Sequence, residues 1–198
     1  MEQGLEYPLK DFMARYRSLS EEEFLHRFPL PFLVIPGEKH KIAPKLGEEK
    51  KNASLKDNLK TMEFSLSDLA NALPTTFQKV DMENAVVFPL AQKEENRGKK
   101  ILKIGRDPSN DLFLDDPEVS TYHASLIWKE NLPMVEPCFY IMDHGSTNGT
   151  YVDSLGIQPH KEILLKDQCT VEIGMNFFFI FYHPDTFYFC VSRAKIDL

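Results

Sequence analysis

Two patterns of hydrophobic and polar positions divide this 198-residue sequence near residue 84. In the first, Leu9, Phe12, Met13 and Tyr16 recur three and four apart, the spacing of one helix face, and Pro8 suits the first helical position. Ser20, with Glu23 three residues later, reads as a capping box that places acids at the positive end of a second helix, which stops before Pro29. "PLPFLVIPG" is held extended by its prolines and forms one short strand. Residues 37–60 carry seven lysines, four acids and few large apolar groups, the composition of a mobile, solvated connection. Leu66, Leu69, Ala70 and Leu73 predict a short helix capped by Ser65 or Ser67 and ended by Pro74.

From residue 84 the period changes to two. The runs "AVVFPLAQ", "KKILKIG", "DLFL", "YHASLIW", "CFYIM", "GTYV", "EILL", "CTVEIG", "NFFFIFY" and "FYFCV" read as short strands. Turn residues separate them, as in "DPSND", "ENLP", "GSTNG" and "HPDT". About 10–11 strands at this spacing, with no long helical pattern, predict a mainly β protein built as an antiparallel β-sandwich. The organisation expected is an α-helical and irregular extension over residues 1–83, followed by the sandwich over residues 84–198. The phenylalanine run 177–181 reads as a strand buried on both faces. The extension offers amphipathic segments too small for a core of their own. Their apolar faces are expected on a side of the sandwich away from its functional loops.

Composition changes the picture in two respects. A formal charge of −7 disfavours general binding to nucleic acid or to anionic membranes, and the charge is uneven. Residues 1–82 hold 12 basic and 13 acidic side chains (net −1), whereas residues 83–198 hold 11 and 17 (net −6). An anion bound by the second half must therefore be held locally. The longest apolar run, "MNFFFIFY", is too short to span a bilayer, and the acidic N-terminus lacks the apolar region of a secretory signal, so a cytoplasmic location is expected. Cys138, Cys169 and Cys190 form no CxxC pair and read as small buried hydrophobes in a reducing compartment.

"DHGSTNGTYV" (143–152) interrupts the alternation with small polar residues that contribute little to a core. Asn148-Gly149 alone is a hairpin turn, and Asn148-Gly149-Thr150 fits a glycan acceptor, which a cytoplasmic chain does not use. Two further loops carry residues that packing does not require: Gly105-Arg106 ends one strand, and Ser120-Thr121-Tyr122-His123-Ala124 leads into another. Loops cluster at the ends of a sandwich. Small hydroxyl donors, glycine-freed N–H groups and one arginine are what a dianionic phosphate requires, since the guanidinium fork binds its oxygens bidentately. Ser120, His123 and Asp143 also invite a hydrolase triad, but no G-x-S-x-G elbow surrounds the serine. His123, His144, His160 and His183 show no zinc-site spacing, so neither a metal nor another cofactor is expected.

"ILKIGRDPSNDLFLDDPEVSTYHASL…YIMDHGSTNGTYV…LKDQCTVEIG" resembles a forkhead-associated (FHA) domain, a phosphothreonine-binding β-sandwich; the likeness covers roughly residues 84–198. The resemblance implies that Arg106 pairs with the phosphate and Ser120 bonds it through its hydroxyl. Thr121 stands where relatives often place a basic or amide side chain on the phosphate. Thr147 supplies a further contact, and Asn148 binds the peptide main chain beside the phosphothreonine. His123 braces the loop, while Gly105 and Gly149 meet backbone requirements. Thr121 brings no charge, and Asp153-Ser154-Leu155-Gly156 stands where the family often has an asparagine-glycine turn, so preferences flanking the phosphothreonine are not implied. The function expected is a non-enzymatic adaptor that docks partners phosphorylated by a serine/threonine kinase. The alternative is a phosphate-independent assembly module on the same sandwich. Thr75 or Thr76, just ahead of the sandwich, offers a regulatory variant in which a phosphorylated extension occupies the site.

Overall fold

The structure is a computed structural model that describes residues 6–37, 84–130 and 137–193. Most of the charged connection 37–60, the helix expected at 66–73, and Thr75 and Thr76 lie outside the described residues. Twelve strands and three α-helices are described, in the order β1 (Tyr7–Pro8), α1 (Leu9–Tyr16), α2 (Glu21–Arg27), β2 (Phe32–Ile35), β3 (Val86–Pro89), β4 (Ile101–Gly105), β5 (Leu112–Phe113), β6 (Ala124–Glu130), β7 (Pro137–Asp143), β8 (Thr150–Val152), β9 (Leu155–Gly156), β10 (Glu162–Leu164), β11 (Thr170–Ile173), β12 (Phe177–Tyr182) and α3 (Pro184–Arg193). They form a sandwich of a seven-stranded sheet, β1-β3-β2-β12-β11-β8-β9, and a five-stranded sheet, β10-β7-β6-β4-β5. All pairings are antiparallel except β4 with β5, which run parallel.

The N-terminal helices follow their sequence signals except at Pro8, which stands one residue before the first helical position, as the N-cap of α1 and the last residue of β1. Leu9, Phe12, Met13 and Tyr16, the four residues of the α1 stripe, are all buried. In α2 the capping box is complete: the Glu23 N–H donates to Ser20 Oγ (3.3 Å), and the Glu23 carboxylate accepts from the Ser20 N–H (2.9 Å).

The "PLPFLVIPG" strand is where the extension and the sandwich meet. It forms β2, which pairs with β3 on one side and β12 on the other, inside the larger sheet. Around β2 and β12 that sheet is buried on both faces, and the period-two alternation sorts its side chains. Leu33, Phe179 and Phe181 point into the core between the sheets, together with Leu102, Ile104, Leu126, Phe139 and Ile141. Phe32, Val34, Ile180 and Tyr182 point outward into a second core with α1, α2 and α3. None of the three loops singled out from the sequence contributes a residue to this second core.

One expected strand is a helix. "FYFCV" (187–191) lies in α3, with Phe187 and Val191, one helical turn apart, buried against the outer face of the sheet. A five-residue apolar run fits either period. Pro184 and Asp185, taken from the sequence as turn residues, occupy the start of α3, where proline lacks an unneeded N–H and aspartate complements the helix dipole. Among the described residues no helix is long and apolar enough to cross a membrane.

Phe12 anchors the outer core. It is fully buried, and its ring lies 4.7 Å from Tyr16, 5.3 Å from Phe28, 5.7 Å from Phe32 and 5.8 Å from Phe187. Phe12→Ala should cost about 3–5 kcal/mol of unfolding free energy, the usual range for emptying a buried aromatic site. Urea unfolding followed by fluorescence checks this, and a loss below about 1 kcal/mol would mean that α1 is not part of the cooperative unit.

Candidate functional site

Three loops meet at one end of the sandwich: the residues after β4, those before β6, and those between β7 and β8. Gly105 ends β4 so close to the second loop that a Cβ there would lie 2.4 Å from the Thr121 carbonyl oxygen, which only glycine permits. The Arg106 N–H donates to the Ser120 carbonyl (3.0 Å) and the Asp107 N–H to the Thr121 carbonyl (3.1 Å), so the two loops are laced by backbone bonds. Buried Asn110 adds a side-chain tie, donating through Nδ2 to the carbonyls of Asp107 (2.9 Å) and Thr121 (2.8 Å). The third loop joins through Thr147, whose N–H donates to Ser120 Oγ (3.1 Å). Arg106, Ser120, Thr121, Thr147 and Asn148 therefore belong to one loop cluster.

His123 spans the cluster from beneath. It is fully buried; its Nδ1 accepts from the Ser120 N–H (3.1 Å), and its Nε2 lies 3.0 Å from the Gly149 carbonyl. With a backbone donor on one nitrogen and an acceptor on the other, the partners assign the neutral Nε2–H tautomer. Gly149 supplies that carbonyl from a left-handed conformation (φ 76°). Burial holds His123 below its ordinary pKa, against the opposing pull of the Gly149 hydrogen bond and the Asp143 charge.

Asp143 organises the third loop. Its Oδ1 accepts from the N–H groups of Gly145 (2.7 Å) and Ser146 (2.9 Å), and its Oδ2 from the hydroxyls of Ser146 (2.5 Å) and Thr150 (2.7 Å). Burial alone would raise its pKa, but these four bonds outweigh burial and hold the carboxyl below the ordinary value. The triad geometry is absent: both His123 nitrogens are engaged with backbone groups, Ser120 Oγ accepts from Thr147, and Asp143 stands 3.9 Å from Nε2. Sequence reasoning placed neither Asn110 nor Asp143 in a loop-building role. For Asp143 a signal existed, since an aspartate two residues before a glycine is an Asx-turn pattern.

The residues facing outward differ in how far they are committed. The Arg106 side chain is exposed, is held by one bond from Nε to the Val119 carbonyl (3.1 Å), and forms no ion pair among the described residues. Ser120 Oγ accepts from Thr147 and keeps its own proton to donate. The Asn148 amide donates through Nδ2 to both the carbonyl (2.9 Å) and the carboxylate (2.7 Å) of Glu118, leaving its Oδ1 as the free group. The neighbouring loop begins with a two-residue hairpin, Asp153 (φ 49°) and Ser154 (φ 63°), so the asparagine-glycine geometry is reached without glycine.

These shifts set a pH response. Unfolded histidine titrates at about pH 6.5, above buried His123, so below that pH the unfolded chain takes up the extra proton. This stability is complete above about pH 6.5 and falls as the pH drops towards the folded value; His144, also lowered first by burial, adds in the same direction. The Tm should therefore fall from about pH 7 to about pH 5, and His123→Gln should flatten the slope. Thermal melts across that range check it, and a variant slope as steep as the parent's contradicts the assignment.

Residues 102–174 match the family model described as the FHA domain. The glycogen accumulation regulator GarA of Mycobacterium tuberculosis is 38% identical over 74 residues, which cover 37% of this chain and 40% of that protein. The nuclear inhibitor of protein phosphatase 1 of Homo sapiens is 30% identical over 79 residues, 39% of this chain and 21% of that protein. The chain thus matches less than half of the length of either relative. Among solved structures, the MEK1 FHA domain in complex with a HOP1 phosphothreonine peptide is 26% identical with a TM-score of 0.39, covering 48% of this chain and 86% of that one. The matched segment opens in β4 and closes at the end of β11, so it holds all three loops of the cluster, and this segment of the chain is similar to the FHA domain.

Proposed function

We propose that the loop cluster binds a phosphothreonine segment of another protein, and that the chain acts as a non-enzymatic adaptor recruiting partners phosphorylated by a serine/threonine kinase. The observation that carries this reading is the Arg106 guanidinium, which is exposed, anchored by a single nitrogen and unpaired with any carboxylate among the described residues. Against the net −6 of residues 83–198, an open guanidinium is the local charge that an incoming anion needs. In this reading the remaining guanidinium donors take the phosphate oxygens. The Ser120 hydroxyl donates to another oxygen, Thr147 closes the rim with its hydroxyl, and Asn148 Oδ1 accepts from a peptide N–H. Gly105, His123 and Gly149 hold the loops in register. A preformed site loses little entropy on binding, and the braces beneath this one supply that preorganisation.

The uncharged Thr121 gives the second reading, a phosphate-independent assembly module, its one specific support. Titration calorimetry with a phosphothreonine peptide and its unphosphorylated twin separates the two. Binding of the phosphorylated form alone is expected, and Arg106→Ala should weaken it about ten- to a hundredfold, the scale of a charged hydrogen bond. Equal binding by parent and variant would falsify the phosphate assignment. Thr121→Arg should tighten binding and steepen its salt dependence, because a second cation near a dianion adds an attraction that mobile ions screen. If affinity at low salt is unchanged, residue 121 does not face the phosphate.

A further inference from the structure

Glu118 is an acid built into the rim of a site proposed to bind a dianion. Asp116 accepts from the Glu118 N–H (2.8 Å) through Oδ1 and from Asn176 Nδ2 (2.9 Å) through Oδ2, tying the loop to the β11–β12 turn. From that turn Gly174 packs so closely that a Cβ there would stand 2.7 Å from the Glu118 carbonyl oxygen. On the other side, both the carbonyl and the carboxylate of Glu118 accept from Asn148 Nδ2. The backbone is thus fixed from two directions and the carboxylate is placed by a third contact, so its position is set before any ligand arrives.

Two consequences follow from that placement. Because Glu118 takes both Asn148 amide bonds through Nδ2, the amide cannot flip, and Asn148 offers only an acceptor to a ligand. In addition, a negative charge lies 2.7 Å from the side chain that meets the peptide main chain in the reading above. Glu118 Oε1 takes no hydrogen bond among the described residues, so one carboxylate oxygen stays open at the rim.

We infer that Glu118 is a specificity-determining residue that selects phosphothreonine segments carrying an arginine or lysine close to the phosphothreonine, and that disfavours acidic flanks. This rests on the phosphothreonine reading and adds to it the charge class of the ligand. The phosphate is recognised by Arg106, and a basic neighbour pairs with Glu118 Oε1, so the preferred ligand alternates in sign as the rim does. A partly exposed pair of this kind changes affinity by about two- to fivefold.

The test uses the full chain and phosphothreonine peptides with otherwise neutral flanks, in which arginine replaces a flanking residue singly at each of the three positions on either side. Affinities are measured by fluorescence anisotropy at low and at high salt. In the parent, arginine at one or more positions should tighten binding about two- to fivefold at low salt, and glutamate at the same position should weaken it. In Glu118→Gln, which keeps an acceptor for Asn148, the ratio between arginine and neutral peptides should fall to unity, and in Glu118→Lys it should invert in favour of glutamate. Because the readout is a ratio within each variant, a general loss of affinity does not imitate it. No gain at any position, or a gain undiminished in both variants, overturns the inference while leaving phosphate recognition standing. Failure of every phosphorylated peptide to bind removes both.

Discussion

The middle of the larger sheet, around β2 and β12, depends on cover over both of its faces. β12 alternates Phe179 and Phe181 into the inter-sheet core with Ile180 and Tyr182 into the outer core, and neither pair could be left in water. The outer cover is supplied by α1, α2 and α3, which flank the sheet in sequence from both ends. β2 brings the chain from those helices into the middle of the sheet, between β3 and β12. The family match begins only at residue 102 and ends at 174, so β1, β2, β3, β12 and all three helices lie outside it. The matched segment thus shares its larger sheet with strands outside the match, and β2 joins that sheet to the helices in front of it.

The loop cluster lies at one end of the sandwich, where packing no longer decides conformation. Polar groups take over that task, and their satisfaction is nearly complete. The His123 imidazole joins the Ser120 and Gly149 backbones, and the Asp143 carboxylate accepts four bonds from its own loop. Such buried groups are costly unless paired, and for that reason they hold a single arrangement once paired. Among the described residues of the cluster the exception is Asn110 Oδ1, buried without a partner. Its amide nitrogen makes two bonds there, so the orphaned oxygen is the cost of lacing Asp107 to Thr121.

The parts of this architecture that depend on local spacing were legible in the sequence. The α1 stripe, the Ser20–Glu23 box, the alternating strands and the ordered Gly105-Arg106, Ser120–His123 and Thr147–Gly149 motifs each declare themselves within a few residues. Features that depend on distant partners did not. Nothing in "PFLVI" states that β2 enters the sheet between β3 and β12, because that pairing is made across residues 38–83. "FYFCV" fits both periods, and only the outer core, which needs Phe187 and Val191 on one side, decides for a helix. Glu118 reads as a solvated acid until Asn148, thirty residues on, is found bonded to it.

The electrostatic design of the site follows from these same distant contacts. Among the acids near Arg106, several are consumed structurally: Asp111 accepts from the N–H groups of Lys93 (2.7 Å) and Lys103 (2.8 Å), Asp107 from Ser109 (2.8 Å), and Asp116 from Glu118 and Asn176. Each is held by N–H donors, so its charge is spread into the backbone that shapes the loops. Arg106 is matched to no carboxylate among the described residues, and Glu118 keeps one carboxylate oxygen without a hydrogen bond among them. A site assembled in this way attracts through one local charge against an unfavourable mean field. In the proposed reading, long-range steering by the domain therefore opposes an anionic segment, and close-range geometry supplies both its affinity and its selectivity.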